Sequence, residues 1–461
     1  MTATEEARDG EAADGEGTPP ASRRALVAGS VGNLIEWYEF GVYGYFATVI
    51  AARFFTPEGG SDAEALVKTY ASFALAFFFR PVGAALFGRI GDRIGRRPTL
   101  ILVVLLMTAA TAAIGLLPTY GTVGAAAPWL LTLARVVQGL SAGGEFGGAV
   151  SVMTEFAPPG RRGLYGAWQS FTVALGLLAG AGLAALLAAV LGEADLQRWG
   201  WRLPFLLAVP MGLAALWLRL RLEETPSFRR ASGGPTGHTH GAGAACAPQG
   251  APPAHAVAPP PSAAATRRAI GLGIGRLMGW SAAGYTFLVV MPSYLQSTLG
   301  ASFQQALLAT VVANAGFALA ILPAGALSDR IGRRAVMAAG TVALIALALP
   351  LLNLLQDPDA SSAARAAAVF AAGAAVGLLA GPGPAMLAEM FPTTVRYTGL
   401  GLAYSLSNAV FSGSAGLIIT ELIKRTGDAD IPALYVMAVC AVGLPALLTL
   451  RGDDHRRALR D

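Results

Sequence analysis

Twelve long apolar runs constrain this chain more than any single motif. They fall at about 25–52, 69–90, 98–118, 129–154, 164–191, 201–222, 269–292, 304–327, 335–355, 366–388, 399–424 and 431–450. Crossing a bilayer takes about 20 residues as helix. In lipid only helices or closed barrels satisfy every backbone group, and runs of this length are helices. Composition agrees: 54% of residues are hydrophobic and 13% charged, whereas a soluble domain carries roughly 25% charged residues. The expected fold is an all-α integral membrane protein with twelve transmembrane helices.

The runs divide six and six around residues 223–268, a stretch rich in Gly, Ala, Pro and His that cannot pack a core. A repeat supports the division. The pattern G-x-x-x-D-R-x-G-R-R occurs at Gly88, with Asp92, Arg93, Gly95, Arg96 and Arg97. It returns 237 positions later at Gly325, with Asp329, Arg330, Gly332, Arg333 and Arg334. A looser echo joins Glu155, Pro158, Arg161, Arg162 and Gly163 to Glu389, Pro392, Arg396 and Gly399, with an offset of 234 between the two glutamates. Two motifs repeated in one order at nearly one offset indicate internal duplication. The expected organisation is a disordered tail at 1–24, six-helix bundles at 25–222 and 269–450, a linker at 223–268 and a short tail at 451–461.

Basic residues orient the chain. With both termini inside, 23 of the 33 Lys and Arg fall on cytoplasmic segments, seven on outer loops and three within the membrane. The net charge of +5 is therefore a topology signal, and no nucleic-acid partner is expected. The acid-rich first 24 residues and the long run after them do not read as a cleavable signal peptide. Cys246 and Cys440 lie in the linker and in an apolar run, so no disulfide framework is indicated. No phosphate-binding loop of the G-x-x-x-x-G-K-[ST] type is present, which argues against ATP drive. His238 and His240 alone make a poor metal site. No cofactor, metal or enzymatic activity is expected.

Six helices, a linker and six more, with the loop motif in matching places, resemble the major facilitator superfamily of transporters. Further stretches are similar to its metabolite–proton symporter branch. They include Asn33–Gly41, Arg80-Pro81 with Gly83, Arg135 with Gln138 and Gly139, Gly143 with Glu145, Trp199–Phe205, Leu222–Pro226 and Arg396–Gly399. Members of that branch carry dicarboxylates, citrate, shikimate-like acids, proline or betaine inward with protons. The resemblance implies proton symport of a small organic acid or zwitterion across the plasma membrane, by alternating access; separately, a monomer is the expected form. Proton-driven export within the superfamily is the alternative, and a non-transporting membrane sensor a weaker one. Two departures stand out: many relatives have Asp in place of Glu39, and the tail after Arg451 is short.

Ionisable side chains deep in a membrane are costly and usually face a cavity or a partner. Glu36, Glu39, Arg80, Arg135, Glu145 and Arg276 are such groups. At helical spacing Asn33, Glu36, Phe40 and Tyr43 share a stripe on the first helix. Arg135, Gln138, Ala142 and Glu145 share one on the fourth. By resemblance, helices 1, 4, 7 and 10 line the central cavity. The proton-coupling candidates are Glu36, Glu39 and Glu145. Arg135 or Arg276 is expected to face a substrate carboxylate, with Asn33, Gln138, Tyr43, Trp168 and Tyr285 as further substrate contacts. Arg80, next to Pro81 and outside the cavity set, reads as structural. By resemblance the two G-x-x-x-D-R-x-G-R-R loops form a cytoplasmic latch; Asp92 and Asp329 can each pair with an Arg or cap a helix N-terminus. The Gly381-Pro-Gly-Pro384 run interrupts helix 10.

Overall fold

The computed structural model describes residues 20–57, 60–94, 96–143, 150, 153–154, 157–158, 160–220, 262–452 and 456. Among them the chain is helical and has no strand. The principal helices are α1 (Pro20–Tyr45), α2 (Asp62–Ile94), α3 (Arg96–Leu116), α4 (Ala126–Ala142), α5 (Arg162–Val190) and α6 (Ala208–Leu220). Then come α7 (Ala263–Tyr285), α8 (Phe303–Ile331), α9 (Arg333–Gln356), α10 (Ser362–Ala380), α11 (Thr393–Ser407) and α12 (Ile431–Leu448). Three of them continue past a π-helical turn or next to one: α1 through Ala47–Ile50 into Ala51–Phe55, α7 through Thr286–Val290 into Met291–Ser297, and α11 through Asn408–Gly413 into Ala415–Thr426.

Nine segments of the described residues are long and apolar enough to cross a membrane. The three principal helices outside that set are α1, α4 and α7. Charged and polar residues dilute α1 and α7, and α4 is described over 17 residues. These are also the helices that carry Glu36, Glu39, Arg135 and Arg276.

Helix ends follow local chemistry and run past the apolar runs. α7 starts six residues ahead of its run because Ser262 caps it, its hydroxyl accepting from the Ala265 amide at 3.2 Å. Ser302 and Gln305 form a reciprocal capping box at α8. Gly332 holds φ +94° between α8 and α9, a conformation that suits glycine. The repeated loop motif therefore supplies the turn itself in its second copy. As its sequence predicts, α10 breaks at Gly381-Pro382 and resumes as Gly383–Met390.

Glycine sets the closest approaches. A Cβ at Gly139 would overlap the Ala76 carbonyl, one at Gly83 the Leu140 carbonyl, and one at Gly143 the Arg80 carbonyl. The backbones of α2 and α4 therefore touch, which brings Arg80 and Arg135 into one neighbourhood. Helices up to Leu220 meet those from Ala263 onward at both ends of the bundle. At the end carrying the Gly325–Arg334 loop, the α5 hydroxyl of Ser170 donates to the Ala380 carbonyl at 2.8 Å. At the other, Tyr70 and Ser293 share a hydrogen bond of 2.7 Å and Thr48 donates to Gln296 at 3.0 Å.

Candidate substrate site

The central layer holds two guanidiniums in an aromatic cage. Arg80 Nη2 lies 3.1 Å from Glu36 Oε1, an ion pair off the hydrogen-bonding direction. The Arg80 guanidinium sits over the rings of Phe40 at 4.2 Å, Phe77 at 4.5 Å and Trp37 at 5.5 Å. Arg135 lies over Tyr43 at 4.2 Å, Phe73 at 4.8 Å and Phe40 at 5.1 Å. Both cations thus lie against the Phe40 ring. Each desolvated cation–ring contact contributes about 2 kcal/mol. That helps hold two positive charges where water is excluded.

Arg135 differs from Arg80 in having no carboxylate partner among the described residues. It is 0% exposed, and its Nε and Nη2 have no hydrogen-bond partner among them. Its Nη1 donates to Gln138 Oε1 at 2.7 Å. Gln138 Nε2 donates to Thr111 Oγ1 at 2.6 Å, and Thr111 Oγ1 donates to Glu39 Oε2 at 2.8 Å. A line of hydrogen bonds therefore joins α4 to α1 through α3. Among the described residues the cluster counts two acids, Glu36 and Glu39, against two bases, Arg80 and Arg135.

The other sequence candidates divide. Tyr285 belongs to the cage, its ring 5.2 Å from Phe77 and 6.1 Å from Trp37, with its hydroxyl unbonded among the described residues. Tyr43 contributes its ring, and its hydroxyl shares a 2.5 Å hydrogen bond with Ser72. Asn33 is instead engaged between α1 and α5, its amide donating to Thr172 Oγ1 at 2.6 Å and to the Gln169 carbonyl at 3.2 Å. Trp168 is 39% exposed on α5, bonded to Ser30 at 3.1 Å. Glu145 and Gly95 lie outside the described residues, as do the side chains of Asp92, Arg93, Arg96 and Arg97. Gly88 falls at the same end of α2.

Arg276 stands apart from the cage. Its Nε donates to the Ala446 carbonyl at 3.2 Å and its Nη2 to Thr449 Oγ1 at 2.9 Å. It lines a cleft with Leu272, Glu389 and Met390 near the end of α12. The reason is register: Arg276 lies more than two turns before Tyr285 on α7, and a turn of helix rises about 5.4 Å. Arg276→Met is expected to leave the substrate KM within about twofold, the reach of a change below 0.5 kcal/mol. A transport KM measured beside that of an Arg135 variant checks this.

A second cluster ties the two sets of helices at the loop end. Asp329 caps α5, accepting from the Gly163 amide at 2.7 Å and the Leu164 amide at 2.9 Å. This is the N-terminal capping expected of the loop aspartate, made across the two sets. Arg333 donates to Asp329 at 2.7 Å, to Ser328 at 2.8 Å and to Glu389 at 3.0 Å. Arg162 of α5 reaches Glu389 at 3.4 Å. Gly325 permits the contact, since a Cβ there would lie 2.5 Å from that of Ala167. Arg330 and Arg334 are exposed, and Gly332 makes the turn.

Sequence reasoning missed Thr111, and it did not bring Arg80 beside Arg135. Nothing marks Thr111 within the apolar run of α3. Arg80 had a usable signal: Phe73, Phe77 and Arg80 fall at i, i+4 and i+7 on one stripe of α2, beside the glycines that bring α4 close.

The comparisons with known proteins bear on the whole chain. Residues 25–236 match the family described as "Sugar (and other) transporter", and residues 273–460 match "Major Facilitator Superfamily". The "Proline/betaine transporter" of Escherichia coli (strain K12) is 34% identical over 94% of this chain and 84% of its own length. The "Alpha-ketoglutarate permease" of the same organism is 36% identical over 96% of this chain and 98% of its own. A solved structure of the xylose transporter XylE from E. coli, in a partially occluded inward-open conformation, superposes with a TM-score of 0.71 at 17% identity. The match covers 93% of this chain and 96% of that one. The chain belongs to the major facilitator superfamily, in its metabolite–proton symporter branch, and it is a membrane transporter and not an enzyme.

Proposed function

We propose that the chain imports a small carboxylate-bearing metabolite together with a proton, exposing one central site to each side of the membrane in turn. Arg135 carries this reading. It is a fully buried guanidinium, caged by aromatic rings, with two nitrogens unbonded among the described residues. A planar fork of this kind matches a carboxylate in two-point contact. The compounds named in the relatives' descriptions, proline, betaine and alpha-ketoglutarate, all bear a carboxylate.

Charge balance supports the proton. The cluster of Glu36, Glu39, Arg80 and Arg135 is neutral before substrate arrives, so a carboxylate at Arg135 adds a negative charge that a proton offsets. We assign the proton to Glu39, which the hydrogen bonds of Thr111 and Gln138 join to Arg135. In this reading twelve helices form two duplicated bundles, 25–222 and 269–450, in the plasma membrane. Both termini, the linker and the repeated loops face the cytoplasm, and the cluster of Asp329, Arg333, Glu389 and Arg162 is the latch on that side.

The test is transport by the purified protein in proteoliposomes. Proline, glycine betaine and alpha-ketoglutarate are offered in counterflow and under an inside-alkaline gradient. One of these classes is expected to exchange, and to accumulate when the outside is acid. No exchange of any carboxylate compound overturns the reading. Glu39→Gln is expected to keep counterflow and lose accumulation. If that variant accumulates as wild type does, the proton lies elsewhere.

A further inference from the structure

We propose that the Thr111 hydroxyl is a two-position rotor that reports the protonation of Glu39 to Arg135, making carboxylate binding and proton uptake one event. The inference rests on the reading above, in which Arg135 takes the substrate carboxylate and Glu39 the proton.

Donor chemistry sets the direction of the line. An arginine can only donate, so Gln138 must turn its carbonyl oxygen to Arg135 Nη1, 2.7 Å away. Its amide nitrogen then faces Thr111 and donates to Oγ1 at 2.6 Å. The threonine hydroxyl keeps a single hydrogen with two acceptors in reach. One is Glu39 Oε2 at 2.8 Å; the other is the carbonyl of Met107, one turn back on the same helix, at 3.0 Å. Arg135, Gln138, Thr111 and Glu39 are each 0% exposed, so bulk water is not at hand to substitute for a member. Around them stand Glu36, Tyr38 and Tyr43 on α1, Arg80 on α2 and Tyr285 on α7.

While Glu39 is ionised it is the stronger acceptor and holds the hydrogen by a charge-assisted bond. Every donor from Arg135 to Thr111 then points the same way, toward the anion, and the bonds reinforce one another. Once Glu39 is protonated, its own hydrogen can be offered to Oγ1. The hydroxyl hydrogen turns to the Met107 carbonyl by rotation about the Cβ–Oγ bond, with no heavy atom displaced. Oγ1 then accepts from Gln138 and from Glu39 together, and the alignment ends at Thr111. Gln138 loses its polarised partner and grips Arg135 less, which releases Nη1 for the substrate. Thr111 is a positioning residue: it neither binds the substrate nor takes the proton, yet its hydroxyl joins Glu39 to Gln138 and so connects the two sites.

The test uses full-length protein in proteoliposomes, with the membrane potential clamped and radiolabelled proline, glycine betaine and alpha-ketoglutarate as probes. For a zwitterion carried with one proton, a gradient of one pH unit sustains about tenfold accumulation. Thr111→Val and Thr111→Ala, which share only the loss of the hydroxyl, are expected to bring accumulation down to about onefold while counterflow continues. Thr111→Ser, which restores the rotor, is expected to recover accumulation. Accumulation as in wild type by the valine and alanine variants overturns the proposal. So does loss of counterflow together with accumulation in both, which marks a merely structural hydroxyl. Glu39→Gln separates this from its premise. If Glu39→Gln still accumulates, the premise has failed; if it is uncoupled while Thr111→Val stays coupled, the rotor alone has failed.

Discussion

Replacing Arg135 by methionine is expected to raise the substrate KM at least about a hundredfold and to abolish stabilisation of the purified protein by substrate. Two charge-assisted hydrogen bonds to a carboxylate are at stake, each contributing about 1.5–3 kcal/mol, and tenfold in affinity is 1.4 kcal/mol. Methionine keeps much of the side chain's volume but loses the cation that lies 4.2 and 4.8 Å from the Tyr43 and Phe73 rings. Arg135→Lys keeps a charge but loses the fork and the flat face, so it is expected to fall between, near tenfold. Counterflow KM and substrate-induced thermal shift measure both variants. A methionine variant within twofold of wild type would remove Arg135 from the site. Arg80→Met should behave differently. It leaves Glu36 without the cation 3.1 Å away, and the effect is on assembly as much as on affinity, because breaking a buried pair from one side strands a charge.

The second large effect is expected at the other charged cluster. In Arg333→Met the carboxylates of Asp329 and Glu389 lose the guanidinium that lies 2.7 and 3.0 Å from them. Removing one partner of a buried ion pair costs about 3–5 kcal/mol. Here the cost falls mainly on the conformation in which α5 and α8 are joined, because Asp329 caps α5 only when the two sets of helices meet. The equilibrium should move by roughly a hundredfold or more toward forms open at the loop end. A cysteine in place of Ala385, which packs against Gly166 of α5, reports this in a background where Cys246 and Cys440 are replaced by serine. Its maleimide labelling rate is expected to rise at least about tenfold. An unchanged rate, with intact folding, would mean that the cluster does not govern that closure. Asp329→Asn should shift the balance in the same direction and less far, since an amide oxygen still accepts from one backbone N–H but carries no charge toward the helix terminus.

Much of this could be read along the chain because it depends on neighbours in sequence. Run length separates membrane helices from soluble ones, and the stripe of Arg135 and Gln138 follows from helical spacing alone. The break at Gly381-Pro382 follows from proline's missing N–H. Capping serines such as Ser262 and Ser302 extend helices beyond their apolar runs, and that too was available in the sequence, though hydropathy hides it.

Which charges meet is a different matter, because it depends on how helices approach one another. Arg80 and Arg276 are both arginines inside apolar runs, and nothing along the chain shows which of them meets the charges of the first and fourth helices. The backbone contact of α2 with α4 at Gly83, Gly139 and Gly143 carries Arg80 into the cage, where Glu36 meets it. The rise of α7 leaves Arg276 at the end of α12, bonded to Ala446 and Thr449. Thr111 carries no charge and interrupts no pattern. It enters the site only because its hydroxyl comes within hydrogen-bond distance of both Gln138 and Glu39. By itself the sequence determined the apolar runs, the repeated loop and the presence of Glu36, Glu39, Arg80, Arg135 and Arg276 within those runs, since run length, spacing and turn chemistry are local. Only the tertiary structure decided which of those charges pair and which threonine joins them, since close packing at a few glycines sets distances that no one-dimensional pattern records.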